Sequence, residues 1–142
     1  MVGVAEVKEK VQRHLTREFG SISVDQDGDY WVTSGSARVY VSVKEWGERT
    51  FIEVFSQTNF GLAPSPELYE WIAKHTAEYR FGHVALVELD DGTARVDFRH
   101  HLLGDFLDPD ELAVAVRAVG ITADEIDDEI KELFGGRLFD DE

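Results

Sequence analysis

Ala37-Arg38-Val39-Tyr40-Val41-Ser42-Val43-Lys44, followed a short turn later by Phe51-Ile52-Glu53-Val54-Phe55, decides the fold. In the first stretch Ala37, Val39, Val41 and Val43 alternate with Arg38, Tyr40, Ser42 and Lys44. That is the period of a strand with one buried face. In the second stretch Ile52 and Val54 share one face, while Phe51, Glu53 and Phe55 share the other. Trp46-Gly47-Glu48 reads as the turn between them, so the two stretches are consecutive strands of an antiparallel meander. Helices must cover the valine face, which makes the chain α+β with an antiparallel sheet.

Working outward, Ile22-Ser23-Val24 and Tyr30–Thr33 form a hairpin around Asp27-Gly28, and Ser34-Gly35-Ser36 is a second turn. Val4, Val7, Val11, Leu15 and Phe19 recur at helical spacing, and Gly20 closes that helix. Downstream, Phe60-Gly61-Leu62 lies in a loop, and Ser65-Pro66 caps a second helix. Leu68, Ile72, His75 and Tyr79 form one face of that helix. Val84–Leu89 is nearly all apolar, which predicts a central strand covered on both faces. After an Asp90-Asp91-Gly92 turn, Ala94, Val96, Phe98, His100 and Leu102 alternate with polar positions. Asp108-Pro109 opens a third helix that Gly120 ends, and the capping box Thr122-x-x-Glu125 starts a fourth. Only the last three residues read as frayed. With no linker or repeat, residues 1–142 form a single domain whose acidic helical segment spans 104–142.

The 142 residues carry a net charge of -15 and no cysteine. A domain of this size buries roughly two thirds of its unfolded surface, so it needs neither a disulfide nor a structural metal. The missing thiols remove thiolate chemistry and fit a cytoplasmic protein. No stretch approaches the roughly 20 apolar residues of a membrane span, and the chain reads as soluble. From Gly104 onward there are 13 acids against three bases (Arg117, Lys131, Arg137), so -10 of the charge sits there. Such a chain repels phosphate backbones and anionic membranes, which argues against both as partners, and attracts basic proteins.

Candidate chemistry is thin. Asp25, Asp27, Gly28 and Asp29 suggest a calcium loop, but counting from Asp25 puts Tyr30 at position six and Ser36 at position twelve. Those positions require glycine and glutamate, so the hairpin turn is the better reading. His100 and His101 are adjacent in a strand, point to opposite faces and cannot share an ion, although His83 could approach either. Ser34 and Ser36 lie in no nucleophile elbow, and Ser34–Arg38 cannot cradle phosphate. No pair of carboxylates stands out as acid and base. The expectation is a chain that is not an enzyme and has no catalytic residue, metal or cofactor.

The aromatic residues say more. Phe51 and Phe55 occupy a strand face that should be polar if solvated, and Tyr40 can join them from the neighbouring strand. Trp46 and Phe60 lie nearby in sequence. Either the C-terminal helices cover this face, or Tyr40, Trp46, Phe51, Phe55 and Phe60 form an apolar strip for a partner.

The order helix, meander, helix, two strands, helix resembles the type III secretion chaperone fold, and more closely the YbjN-like and type III chaperone-like peptide-binding proteins of bacteria. Val4–Phe19, Ile22–Gln57 with its Asp-Gly-Asp-Tyr-Trp-Val segment at Asp27–Val32, Ser65–Tyr79 and the Val84–Leu102 hairpin carry the resemblance. It implies a small, cytosolic, non-enzymatic protein, commonly a homodimer, that binds a protein or peptide client. The reading taken forward is a chaperone-like module that buries apolar segments of a partner. Its rivals are an acidic nucleic-acid mimic that inhibits a basic protein, and a small-ligand-binding domain with a closed pocket.

Overall fold

The computed structural model describes residues 3–139, so the frayed end expected for the last three residues lies outside the described residues. Helix α1 (Val4–Phe19) is followed by strands β1 (Ser23–Val24), β2 (Tyr30–Ser34), β3 (Ala37–Trp46) and β4 (Arg49–Leu62). Helix α2 (Pro66–His75), strands β5 (His83–Glu88) and β6 (Ala94–Leu103), helix α3 (Pro109–Phe134) and the short β7 (Arg137–Leu138) complete the chain. The strands form one antiparallel sheet in the order β1-β2-β3-β4-β6-β5, with β7 paired to the end of β4. The protein is thus α+β, as the alternation at Ala37–Lys44 and Phe51–Phe55 implies.

The three helices pack on one face of the sheet. Val39, Val41, Ile52, Val54, Val96 and Phe98 form its floor, and Val7, Val11, Leu15, Leu68, Val116 and Ile130 press down on it. Fully burying one such side chain is worth roughly 1.5–3 kcal/mol, so this layer dominates the stability. Helices α2 and α3 also start where local chemistry favours it. Ser65 Oγ accepts the Leu68 N–H at 3.1 Å, and Asp108 Oδ1 accepts the Asp110 N–H at 2.8 Å, each just before a proline in the first turn.

Three expectations need correction. The C-terminal segment is one helix of 26 residues, and Gly120 lies inside it. A methyl group at 120 would overlap the Cβ of Ser34 and come within 3.3 Å of Val39 Cγ2. Glycine is there because α3 crosses the β2–β3 turn too closely for a side chain. Four residues on, Asp124 accepts hydrogen bonds from the Ser36 N–H and hydroxyl. Thr122 and Glu125 are therefore mid-helix residues and cap nothing.

The second correction concerns β5, which lies at the sheet edge, while the alternating β6 is central. Of the apolar run in β5, Val84 alone is buried. Thr76 closes the outward side there, its hydroxyl donating to the Val84 carbonyl (3.0 Å) and accepting the Val84 N–H (3.1 Å). That contact also marks the end of α2, so Tyr79 falls beyond the helix and packs edge-on against Phe98.

Third, β3 and β4 are longer than expected. Trp46 closes β3 opposite Arg49, and Phe60-Gly61-Leu62 belongs to β4. Register shifts between Gln57 and Asn59 and between Asn59 and Leu62 let β4 continue past them. They turn Asn59 inward, where its Nδ2 donates to the Asp127 carbonyl of α3 at 2.9 Å.

Gly120→Ala is expected to lower stability by about 1–3 kcal/mol through overpacking. That outweighs the roughly 1 kcal/mol that alanine gains over glycine in a helix. Thermal melts of Gly120→Ala and Gly120→Ala/Ser34→Gly check this: the second change should restore part of the loss.

A second prediction concerns Asp105, whose buried carboxylate accepts the Thr50 hydroxyl (2.6 Å), the Thr50 N–H (2.8 Å) and Arg49 Nη1 (3.2 Å). These bonds, the Thr50 hydroxyl foremost, hold Asp105 below the usual carboxylate range. Its stabilisation is present above the unfolded carboxylate pKa and disappears as pH falls through the lower folded value. Asp105→Asn should therefore be less stable than wild type at pH 7, and the two denaturation midpoints should converge at acid pH.

Candidate functional site

The second face of the sheet has no helix over it among the described residues. Cross-strand register brings one rank of side chains across it. Trp31 is opposite Tyr40, Tyr40 opposite Phe55, Phe55 opposite Arg99, and Arg99 opposite His83. Neighbouring strands place such partners about 5 Å apart, so the rank is a continuous ridge. The Tyr40 and Phe55 rings stack with centroids 5.1 Å apart, and the Arg38 guanidinium lies 3.8 Å above the Trp31 ring.

A second cluster lies four residues along the strands from that rank. Phe51 is opposite both Lys44 and Leu103, and its ring tilts towards His101 at 6.0 Å. Phe51, His101 and Leu103, with Trp46 and Leu102, line a shallow apolar groove of about 420 Å³. Trp46 is 67% exposed and Leu103 52%, large fractions for side chains of this size.

Of the residues singled out from sequence, Tyr40 and Phe55 stack, Phe51 and Trp46 share the groove, and Phe60 stands apart. The bulges carry Phe60 to the far end of β4, where its ring lies 6.1 Å from Phe139 and beneath the Arg137 guanidinium. Sequence reasoning missed Trp31, Leu103 and the cations. For Trp31 the signal was present: Tyr30 and Val32 alternate with Trp31 and Thr33, which sets Trp31 on the Tyr40 face. The cations of the rank become visible only with the cross-strand register.

The charges on this face are ordered. Asp97 is buried and accepts from Arg95 Nε (2.7 Å), Arg95 Nη2 (3.0 Å) and Arg99 Nη2 (2.8 Å), so one carboxylate holds two guanidinium groups. Glu53 takes His101 Nε2 at 3.2 Å, with Lys44 Nζ at 4.0 Å. His83 stacks on His101 at 5.8 Å. Burial, reinforced by His101 and Arg99, pushes His83 below the ordinary imidazole value, so it is neutral at pH 7. His100 lies on the opposite face against Phe81, as adjacent strand residues must.

Other hollows suit small ligands poorly. The recess between Ala37, Ser56, Ala123 and Phe139 offers about 50 Å³, room for a water or two. A wider hollow of about 660 Å³ beside Phe81, Leu102 and Val114 is open and rimmed by Asp108, Asp110 and Glu111. The carboxylates of Asp25, Asp27 and Asp29 converge within 4.8 Å, but Asp25 Oδ1 already accepts the N–H groups of Asp27 and Asp29, which explains the cluster as a turn.

A helix-backed antiparallel sheet with an uncovered aromatic face places the chain among small α+β proteins built around a broad surface. Residues 5–142 match the family model described as T3SS (YopN, CesT) and YbjN peptide-binding chaperone 1, and the chain belongs to that family. Two solved structures share the fold. One is the Yersinia pestis type III secretion chaperone SycH in complex with a stable fragment of YscM2, at 14% identity and TM-score 0.56, covering 84% of this chain and 98% of that one. The other is YbjN, a putative transcription regulator from E. coli, at 11% identity and TM-score 0.59, covering 92% of this chain and 94% of that one. No curated protein matches the sequence. Among the described residues no helix is long and apolar enough to cross a membrane.

Proposed function

We propose that this chain is a non-enzymatic, chaperone-like protein of the cytoplasm that binds an extended segment of a client polypeptide on the open face of its sheet. The observation that carries this reading is the uncovered ridge of Trp31, Tyr40 and Phe55 beside the groove of Trp46, Phe51 and Leu103. Burying apolar client side chains there removes water from both surfaces, and each fully buried aliphatic or aromatic side chain contributes roughly 1.5–3 kcal/mol before ordering costs. The rings are already held against one another, so the protein side loses little freedom on binding. The peptide-binding family and a SycH structure that holds a YscM2 fragment support the reading. Phe60 lies at the far end of β4 and meets the ridge through Phe139, which packs against its ring and also under Arg38.

The test replaces both Phe51 and Phe55 with serine, on the face opposite Ile52 and Val54. The variant should keep its circular dichroism spectrum and a cooperative melt. Anisotropy with labelled Leu- and Phe-rich peptides should show affinity falling about tenfold or more, roughly 1.4 kcal/mol. Loss of the folded spectrum would mean the rings are core, and unchanged affinity would move the client elsewhere; either result sinks the reading.

A further inference from the structure

We infer that the segment taken by the open face is acidic as well as apolar, the opposite of what a net charge of -15 suggests. The inference rests on the reading above and adds the client's chemistry. The open face carries four cations, Arg38, Lys44, Arg95 and Arg99, against Glu53, Asp97 and Asp29, which reaches Ser42 beside Lys44 from the β1–β2 loop, leaving a formal surplus of one positive charge. Most of the acids lie elsewhere: α3 turns Asp110, Glu125, Asp128, Glu129 and Glu132 to solvent on the far side of the molecule. The two layers of the protein therefore have opposite signs.

The position of these cations matters as much as their number. Arg99 directly follows Phe55 in the aromatic rank, and Lys44 is paired with Phe51. Arg38 lies on the Trp31 ring. Trp31, Phe51 and Phe55 each have a guanidinium or ammonium within one strand spacing, so an apolar client residue there would bring its neighbour against a cation. Asp97 cannot neutralise both Arg95 and Arg99, and a client carboxylate would complete the surplus charge. A segment of mixed Glu or Asp and aliphatic residues fits this pattern. Lysine- or arginine-rich segments would meet like charge at every one of these points. A nucleic acid could use the same cations and rings, but its dense phosphates would also feel the field of the whole acidic chain, whereas a short peptide carries few charges.

The experiment uses the full chain and three labelled probes in fluorescence anisotropy: a 14-residue peptide of Leu, Phe, Gly and Glu, its counterpart with Lys for Glu, and oligouridylate. At low salt the Glu peptide should bind about tenfold or more tighter than the Lys peptide, with the gap shrinking at 0.5 M salt. Lys44→Glu should abolish the preference; Arg99→Gln, checked for folding by circular dichroism, gives a second reading if Lys44→Glu perturbs the sheet. Equal or tighter binding of the Lys peptide overturns this inference but leaves peptide binding intact. Tighter binding of oligouridylate overturns it in favour of nucleic acid, and binding of neither peptide overturns both readings. Sedimentation in parallel covers the remaining occupant: a dimer that Lys44→Glu dissociates and the Glu peptide does not would assign the face to a second copy and overturn the inference.

Discussion

The close crossing of α3 over the β2–β3 turn is the constraint on which the rest of the structure depends. A 26-residue helix is roughly 39 Å long, enough to lie across the sheet from its β6 end to β2. It can do so in one piece only where backbone meets backbone, and Gly120 over Ser34 provides that approach. Asp124 on the Ser36 turn and the Asp127 carbonyl on Asn59 fix the helix along its length. Two shorter helices joined at Gly120 could have wrapped round a sheet edge. One continuous helix commits the acidic segment to the inner face and leaves the outer face to solvent.

That asymmetry explains how a surface rich in Trp, Tyr and Phe can exist in a chain of 142 residues without collapsing on its own core. The inner face satisfies the hydrophobic demand with valine, isoleucine and leucine, which interlock with the helices. The outer face keeps Tyr40 stacked on Phe55 and Trp31 under Arg38, so these three rings are partly buried. Asp97 and Glu53 hold the cations close to the sheet. The arrangement is rigid before any partner arrives, and preorganisation of this kind lowers the entropic cost of binding.

The legible parts of the sequence were those governed by local period. Alternation at Ala37–Lys44 and Phe51–Phe55 identified strands, faces and the α+β class, because burial of one face imprints a two-residue repeat. The same rule, applied to Tyr30–Thr33, would have added Trp31 to the aromatic face. What could not be read locally was decided by distant partners. Gly120 is a helix terminator by propensity, and its true role depends on Ser34 far upstream. The apolar run of β5 looked central because strand order is not written in any one strand, and Thr76 is what makes an edge position tolerable there. Phe60 was separated from the other aromatics by bulges that a strict alternation cannot anticipate. The clustering of cations on one face of an acidic chain required the full cross-strand register.

The sheet edges bear on how a client would be held. An extended segment can add a strand to an edge or lie across a face, and the two demand different things of the sheet. At one edge β1 has two residues, too few to template a strand. At the other, Thr76 occupies both outward backbone groups of Val84, and Tyr69 reaches across to Glu88 at 3.2 Å. Blocking or shortening edges in this way is how sheets avoid indiscriminate pairing. Residues 42–46 of β3, which β2 does not reach, have no strand partner on that side among the described residues, so a client of the proposed kind could pair there or lie on the open face, where side chains and not backbone groups make the contacts. Recognition there depends on the spacing of rings and charges along the client, and so on its sequence, whereas edge pairing would accept almost any extended chain.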